Sequence, residues 1–403
     1  MVLRIPRPTE RKRLAKLAGQ MSKGDGSAVD LVVVGGGAIG LACAWRAAQA
    51  GLRVRVLERD EPGAGASGVA AGMLAPVGEL SFGEERLLEL ALASHARWPR
   101  FAAELEEAAG ATGYMQEGAL HVALDRDEAA ELRRRFELMR SLELEAEWLR
   151  ASECRELEPG LVPQLAGGVL APHEAAVVPR LLVETLVTAC ERAGVELVGG
   201  AEVVGAELSG GRLEGVRTAD GRLHVAGTTL VAAGAWTGSL EWVGPQLRPP
   251  VRPVKGQILT LRGDPQEQVC SRIVASERVY VVPRRDGTVV VGATVEEMGF
   301  DARVTAGGVF ELLREAYRAL PDVAELELVE TVVGFRPGTP DNLPVIGPGE
   351  LDGLLWASGH FRNGVLLTPL TADAVVALLR GEEPPAEIAL ARPQRFQEAE
   401  VAS

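Results

Sequence analysis

Three glycines near the amino-terminal end of the chain have the spacing of a phosphate-binding turn. Gly35, Gly37 and Gly40 fit the pattern G-x-G-x-x-G, between an aliphatic run and an alanine-rich segment. The first glycine permits a tight turn, the second lets a pyrophosphate approach the backbone, and the third lets a helix pack against the strand. The free N–H groups of that helix then face the phosphates. The pattern predicts a dinucleotide-binding turn in which Ala38 and Ile39 are further contacts.

A carboxylate follows at the distance that this chemistry requires. Residues 52–57 alternate like a second strand and end in Glu58, 23 residues after Gly35. A carboxylate at this place would bind the ribose hydroxyls of an adenine dinucleotide. Residues 31–34 are an unbroken apolar run, which is typical of a strand buried on both faces. This context favours a dinucleotide site over a glycine-rich turn that binds nothing.

Candidate substrate ligands lie far down the chain. Arg336 ends a strand-like run, and its guanidinium has a rigid fork that fits the two oxygens of a carboxylate. The residues alone leave it equally open whether Arg336 binds a ligand or pairs with an acid between domains. Tyr280 is a hydroxyl donor for the same carboxylate or a core tyrosine, and Arg362 is a substrate-side cation or a surface arginine. No C-x-x-C pair or Cys/His cluster suggests a metal site. No Ser/His/Asp constellation is recognisable either.

Five segments, taken in order, resemble a known family. A run of small residues after Glu58 ends in Gly72-Met73-Leu74, and the remaining segments stand near Tyr280, Arg336 and Arg362. They are residues 61–74, 280–284, 291–294, 335–339 and 359–367. Together they resemble the D-amino-acid oxidase family of flavoproteins, most of all the branch that oxidises glycine. The resemblance runs from Val29 to about Gly381.

The resemblance implies a noncovalent FAD. No cysteine follows Cys270 and no histidine lies between Ala64 and Leu74, so the attachment residues of covalently flavinylated relatives are missing. The implied cofactor contacts are Gly35, Gly37, Ala38, Ile39, Gly40, Glu58, Arg59, Ala66, Ser67, Ala71, Gly72, Met73, Val203, Ala233, Gly234, His360, Phe361, Arg362, Asn363, Gly364, Val365 and Leu366. Backbone N–H groups of 360–366 and the dipole of the last helix would lie near the flavin pyrimidine ring. A helix that starts with Thr368 as N-cap would leave loop N–H groups there instead.

The resemblance also implies a reaction. Arg336 would bind the substrate carboxylate with help from Tyr280, and Arg362 would lie over the substrate side of the flavin. A hydride would pass from Cα of glycine, sarcosine or a small D-amino acid to flavin N5, giving an imine that hydrolyses to an oxo acid such as glyoxylate and ammonia. O₂ would become H₂O₂, and the imine could supply the thiazole of thiamine. Val295 replaces a methionine of the family pattern, which implies room for larger amines. The alternatives are a D-amino-acid dehydrogenase with a quinone acceptor and a non-catalytic flavin-binding protein.

The elements that position these residues predict a mixed α/β and α+β fold. We expect a Rossmann-like FAD domain of the glutathione-reductase type from residues 29–105, 172–240 and 332–382. A substrate domain on an antiparallel sheet would come from residues 106–171 and 241–331, with a disordered basic extension at 1–28 and a surface tail at 383–403. Asp286-Gly287 predicts a hairpin whose two-residue loop would put Tyr280 opposite Ala293.

Composition limits the remaining function classes. The 403 residues carry a net charge of −14, which argues against a nucleic-acid partner. No apolar run reaches the length of about 18 residues that a membrane span needs. The four cysteines are widely spaced, which disfavours a disulfide framework and suits a reducing cytoplasm. The family resemblance implies a homo-oligomer, either a dimer or a tetramer.

Overall fold

The computed structural model describes residues 28–396. The predicted disordered extension lies outside the described residues except for Ala28, as do the last seven residues of the tail. The helices are α1 (Ala38–Gln49), α2 (Ala66–Val69), α3 (Glu85–His95), α4 (Trp98–Ala109), α5 (Arg126–Ser141), α6 (Ala151–Leu157), α7 (Pro179–Arg192), α8 (Ala306–Ala319) and α9 (Thr368–Leu379). Short 3₁₀ turns cover Gly234–Ser239, Pro321–Glu325, Phe361–Asn363 and Ala386–Ala391. Within this range no helix is both long and apolar enough to cross a membrane.

The strands form two large sheets and one short pair. In chain order they are β1 (Val29–Val34), β2 (Val54–Leu57), β3 (Met73–Leu74), β4 (Ala119–Ala123), β5 (Glu147–Leu149), β6 (Gly167–Ala171), β7 (Ala175–Ala176), β8 (Glu196–Val198), β9 (Val203–Ser209), β10 (Arg212–Thr218), β11 (Leu223–Val231), β12 (Arg252–Arg262), β13 (Ile273–Ala275), β14 (Tyr280–Pro283), β15 (Thr288–Gly292), β16 (Glu327–Gly338), β17 (Val345–Pro348) and β18 (Leu354–Ser358).

The first sheet has the order β17-β18-β11-β1-β2-β8, with β10 and β9 attached to β11. Strands β18, β11, β1, β2 and β8 are parallel neighbours, so their carboxyl ends share one edge. Helix α1 crosses from β1 to β2 and packs against α7 and α9. Its inner face is almost entirely alanine, leucine, cysteine and Trp45, all buried, which lets helix and sheet approach closely. This confirms the predicted Rossmann-like βαβ unit.

The second sheet has the order β16-β12-β15-β14-β13-β4-β6-β5 and is mostly antiparallel. Its core is aliphatic and lies under α8, whose buried residues include Leu312 and Ala316. All of β16 pairs with β12, so residues 332–338 belong to this sheet and not to the first one. We therefore propose that the boundary predicted at 332 moves to about 338, with the other domain limits unchanged.

Three local expectations need correction. In the hairpin, Tyr280 faces Gly292 and not Ala293, because residues 285–287 form a three-residue loop in which Gly287 has φ of +80°. The apolar residues of 82–109 recur at helical spacing, which predicts helix over this range. The structure divides it into α3 and α4, since Pro99 is tolerated only in the first turn of a new helix.

The third correction concerns the tail. The turn Ala386–Ala391 packs against α3 and β17, and its Ile388 and Ala391 are buried. Arg395 forms an ion pair with Asp341 at 2.8 Å. Apolar side chains and a cation therefore fix this segment to the first domain, where a surface tail was expected.

Candidate functional site

A cavity of about 1210 Å³ lies between the two sheets. From the first sheet it is lined by residues at the carboxyl ends of parallel strands, among them Val34, Leu57 and Ser358. From the second sheet it is lined by residues of β12, β14, β15 and β16. Ligands of open α/β sheets bind outside the carboxyl ends of the strands, so both the place and the size suit a dinucleotide with a small second ligand.

The three glycines of the turn act in different ways. Gly35 has φ of +114°, and a Cβ there would lie 2.4 Å from the carbonyl oxygen of Ala232. A Cβ on Gly40 would lie 2.0 Å from the carbonyl oxygen of Gly35, so this glycine lets α1 pack onto the turn. Gly35 and Gly37 line the cavity together with Ala38 and Ile39, whereas Gly40 does not. The first N–H groups of α1 have no partner within the helix and can bind phosphate oxygens.

Glu58 stands at the end of β2, where the sequence predicts the ribose carboxylate. Its Oε2 accepts a hydrogen bond from Gly36 N at 2.6 Å, and its Oε1 accepts one from Asp60 N at 2.8 Å. Burial raises the pKa of Glu58, and the two backbone donors act against that rise. The next residue, Arg59, lies over the ring of Trp236 at 4.6 Å. Both Glu58 and Arg59 line the cavity.

The small-residue segment passes along the cavity through Ala66, Ser67 and 71–73. The Ser67 hydroxyl accepts a hydrogen bond from Ala38 N at 3.0 Å, so it ties the segment to the start of α1. Gly72 has φ of +77°, and a Cβ there would lie 2.2 Å from the carbonyl oxygen of Val177. Both the backbone conformation and the close contact therefore require a glycine at position 72.

Three residues implied as cofactor contacts line another part of the cavity, namely Val203, Ala233 and Gly234. Trp242 also lines this part, and its buried Nε1–H has no hydrogen-bond partner among the described residues. A buried donor without an acceptor is costly, which fits a ligand that supplies one. Glycine turn, carboxylate, small-residue wall and free indole N–H together fit FAD.

The loop after β18 contributes His360, Phe361, Arg362, Asn363, Gly364 and Val365 to the lining. Helix α9 begins only at Thr368, with Leu367 as N-cap, so loop N–H groups rather than a helix end face the cavity. His360 Nε2 lies 3.0 Å from Thr371 Oγ1, and burial lowers the pKa of His360 to about 3. Leu366 does not line the cavity, because its side chain is in the core and its carbonyl accepts from Ser94 and Trp98.

Tyr280 and Arg336 reach the cavity because two glycines leave space for them. Tyr280 pairs with Gly292 on the neighbouring strand, and a Cβ on Gly292 would lie 2.4 Å from the tyrosine hydroxyl oxygen. A Cβ on Gly256 would lie 2.5 Å from Nη1 of Arg336. In the strand order β16-β12-β15-β14, Arg336 leans over β12 and Tyr280 leans over β15. The two side chains therefore lean toward one another across the sheet.

The guanidinium of Arg336 is available for a carboxylate. Its Nη1 donates to the carbonyl oxygen of Thr294 at 3.0 Å and to that of Lys255 at 3.4 Å. Among the described residues it forms no ion pair within 4.0 Å. Burial raises the pKa of Tyr280 to about 12, although the charge of Arg336 acts in the opposite direction. The phenol therefore stays protonated and can donate a hydrogen bond at any physiological pH.

Arg362 also lines the cavity, but it already has acidic partners. Its Nε lies 3.0 Å from Glu79 Oε2, and its Nη2 contacts Glu84 Oε2 and donates to the Glu79 carbonyl oxygen at 3.1 Å. Arg362, for which the sequence suggests a place on the substrate side of the flavin, is thus ion-paired with two acids of the chain.

Sequence reasoning missed Glu79 and the two glycines. Burial raises the pKa of Glu79, and the charges of Arg362 and Arg336 oppose this rise. Glu79 lies five residues after Leu74, the end of the small-residue segment, and this closeness is the signal that could have identified it. Gly256 lies within β12 and Gly292 ends β15, and a glycine in a strand often marks a close approach of another group. Val295 lines the cavity and is 67% exposed, so it lies at the mouth.

Other chemistries find no support within residues 28–396. No group of three or more His, Cys, Asp or Glu side chains in this range could hold a metal ion. Cys43, Cys154, Cys190 and Cys270 are buried and unbridged, and none of them lines the cavity.

Comparisons with known proteins agree with this geometry. The family described as FAD dependent oxidoreductase (DAO) matches residues 30–378. A glycine oxidase of Geobacillus kaustophilus is 36% identical over 358 residues, which are 88% of this chain and 93% of that protein. The crystal structure of glycine oxidase from that organism has a TM-score of 0.86 and 34% identity, covering 91% of this chain and 99% of the other.

A second kind of relative is longer. The bifunctional protein ThiO/ThiG of Trichormus variabilis is 36% identical over 349 residues, or 86% of this chain. This chain spans about half of that relative, 52% of its length.

Proposed function

This chain belongs to the DAO family of FAD-dependent oxidoreductases, and from that premise we propose that it oxidises glycine and other small amines. Its substrates would include sarcosine and small D-amino acids, with O₂ as acceptor. From glycine the products would be H₂O₂ and an imine that hydrolyses to glyoxylate and ammonia. The observation that carries the proposal is the convergence of Arg336 and Tyr280 on the cavity that begins at the glycine turn.

The residues of the chain bind and orient, while the cofactor carries the redox chemistry. FAD, when bound, supplies the two-electron acceptor at N5 for the hydride of substrate Cα and passes the electrons to O₂. Gly35, Gly37, Ser67 and Glu58, with the other cavity-lining positions, would hold it without a covalent bond. This assignment rests on their lining of one continuous cavity.

Arg336 would hold the substrate carboxylate with two parallel N–H donors, which also fixes the direction of Cα. The hydroxyl of Tyr280 would donate to the same carboxylate. Arg362 would act indirectly, since Glu79 and Glu84 already hold it at the edge of the pocket. No general base is required, because the amine that reacts is neutral.

A preparation of the purified protein tests this function. The protein should be yellow, its absorbance near the flavin band should bleach anaerobically with glycine or sarcosine, and air should restore the colour with release of H₂O₂. A bleached protein that passes electrons to a quinone analogue without peroxide would instead identify a D-amino-acid dehydrogenase. A yellow protein that none of the amines in a substrate panel can bleach would contradict catalysis altogether.

We also propose a metabolic setting. Dehydroglycine, the imine of glyoxylate, is a reactive two-carbon unit, and its supply to the thiazole of thiamine would suit this reaction. The naming of ThiO/ThiG relatives as single bifunctional chains supports the link. Growth of a deletion strain without thiamine, with and without added thiazole, tests it.

The chain is proposed to work as a homo-oligomer in the cytoplasm. Phe310 and Tyr317 on the outer side of α8 are 63% and 54% exposed, and Leu328 at the start of β16 is 48% exposed. Apolar side chains of this size on a surface suit contact with another subunit. Light scattering of the purified protein decides between a monomer, a dimer and a tetramer.

A further inference from the structure

A buried arginine outside the cavity has no acidic partner. Arg284 follows β14 directly and is only 5% exposed. Its Nη1 is buried without a hydrogen-bond partner among the described residues, and its guanidinium forms no ion pair there. The nearby carboxylate of Asp286 accepts instead from the backbone N and the hydroxyl of Thr288. Burial lowers the pKa of Arg284 to about 10, which still leaves it charged at neutral pH.

Within the described part of the chain this guanidinium has one hydrogen bond, and it joins the second sheet to the small-residue segment of the first domain. Nη2 of Arg284 donates to the carbonyl oxygen of Ala71, 213 positions earlier in the chain. Ala71 is buried against Val282 and Ile273 of the second sheet, and it lines the cavity, whereas Arg284 does not. The guanidinium therefore lies behind the small-residue segment, on the side away from the ligand.

The same segment is held on a second side. Gly72 accepts a hydrogen bond from Val177 N at 2.9 Å, and Met73 pairs with Ala176 in the short β3–β7 sheet. Val177 and Arg284 thus bind successive carbonyl oxygens, those of Gly72 and Ala71. Two different parts of the chain determine where this backbone can lie.

A buried cation without a counterion is costly unless something compensates it. Among the described residues Arg284 forms no ion pair within 4.0 Å, and the charge of Asp286, which raises the Arg284 pKa, only partly opposes the effect of burial. Ala71 belongs to the apolar cluster against which Tyr280 packs, so the cavity beside it is the substrate end. The ring that accepts the hydride would lie at this end and would gain negative charge on reduction, and charge near a flavin ring tunes its electronics.

We propose that Arg284 is a positioning residue for the flavin: it fixes the Ala71–Met73 backbone as one wall of the cofactor site and places a positive charge without an ion-pair partner behind that wall, favouring the reduced cofactor. The inference rests on the assignment of FAD to this cavity, but not on the identity of the amine. Because β14 also carries Tyr280, one strand then positions both the substrate ligand and the cofactor wall.

The test compares R284M with R272M. Arg272 precedes β13 in the same sheet, pairs with the buried Glu158 at 2.8 Å and does not line the cavity, so R272M controls for the loss of a structural guanidinium. Both variants should lower the thermal stability of the apoprotein. Only R284M should raise the Kd for FAD, by about tenfold or more for the loss of a hydrogen bond from a charged donor. Only R284M should shift the flavin absorption bands and lower the reduction potential.

Equal Kd values and potentials in R284M and wild type would overturn the proposal, as would equal losses in R284M and R272M. If R284M does not fold, R284K decides. It keeps the charge without the planar fork, so weaker FAD binding supports the positioning role and unchanged binding overturns it. Failure of the proposed function shows separately, in unsubstituted protein that binds FAD but is not reduced by any amine.

Discussion

At the scale of single residues, the substrate end of the cavity depends on what glycines leave out. Arg336 and Tyr280 are long side chains on strands of a packed sheet, where neighbouring side chains normally occupy the space above the backbone. Gly256 and Gly292 have no side chain at these places. The guanidinium of Arg336 therefore lies over Gly256, and the hydroxyl of Tyr280 lies over Gly292. Among the described residues Arg336 contacts two carbonyl oxygens and Tyr280 but forms no ion pair within 4.0 Å, so its guanidinium can still bind a carboxylate.

Replacing Arg336 should therefore abolish most substrate binding. For R336A we expect kcat/KM for glycine to fall. The fall should correspond to ~2–5 kcal/mol of lost transition-state binding, as when one partner of a buried charge pair is removed. R336K should recover only part of this loss, because an ammonium cannot form two parallel hydrogen bonds. Steady-state peroxide production measures kcat/KM for each variant. R262A, on β12 but outside the cavity lining, should behave like wild type. Unchanged kinetics in R336A would remove this residue from the site.

Gly256 should be equally sensitive, for a steric reason. In G256A the new methyl group would overlap Nη1 of Arg336, which lies 2.5 Å from the Cβ position. We expect a raised KM for glycine with an unchanged Kd for FAD, because the displaced group is the carboxylate ligand. The control is G307A on α8, where a Cβ meets nothing within 4 Å. A normal KM in G256A would show that Arg336 has room to move without loss of binding.

At the scale of elements, the cofactor wall is built from short connecting segments held by long strands. The turn before α1, the segment 66–73 and the loop 360–365 carry little regular structure, yet all three line the cavity. Each is fastened by a specific contact, such as the Ala38 N to Ser67 hydrogen bond and the His360 to Thr371 contact. Loops on a rigid scaffold are the usual place for binding residues, and here the scaffold is the edge shared by parallel strands.

The buried imidazole of His360 predicts an acid-sensitive element. Its folded pKa is about 3, against 6.5 for the ordinary group, so the unfolded chain binds the extra proton between these values. Its contribution to stability is present above pH 6.5 and is lost as the pH falls toward 3. In this window the free energy of unfolding should fall by up to ~1.4 kcal/mol per pH unit from this group.

Denaturant titrations at several pH values measure the slope. H360Q should be less stable at neutral pH but should have a shallower dependence on pH, by up to about one proton. Equal slopes in H360Q and wild type would mean that His360 is not held neutral by burial.

At the scale of the whole molecule, the cavity joins two sheets that are interleaved along the chain. The first sheet uses strands from β1 to β18, and the second enters between them twice. The Arg284 to Ala71 bond and the ion pair between Arg180 and Glu330 cross between the two units. A ligand that contacts both sides therefore acts as a further link between them.

Removal of FAD should destabilise the whole chain rather than one loop. A ligand that binds only the folded state adds RT ln(1 + [L]/Kd), or about 4 kcal/mol at a thousand-fold excess over Kd. We expect the apoprotein to unfold several degrees lower and to regain the holoprotein Tm when FAD is added back. Scanning calorimetry measures the shift, with FMN as a control that lacks the adenosine half. An apoprotein with an unchanged Tm would contradict FAD binding between the two units.

The sequence by itself determined the parts of this protein that depend on local rules. The glycine turn, Glu58, the small-residue segment and the βαβ unit follow from spacing and backbone sterics, which act over few residues. Most of the residues expected at the site also line the cavity, because neighbours within a short motif stay together in the fold.

Only the tertiary structure decided how distant residues meet. The hairpin register, the ion pairing of Arg362 with Glu79 and Glu84, and the space that Gly256 leaves for Arg336 depend on strand neighbours far apart in the chain. The same holds for the assignment of 332–338 to the second sheet and for the packed tail. Burial and cross-strand contact are collective, so a linear pattern specifies which side chains are available but not which ones finally touch.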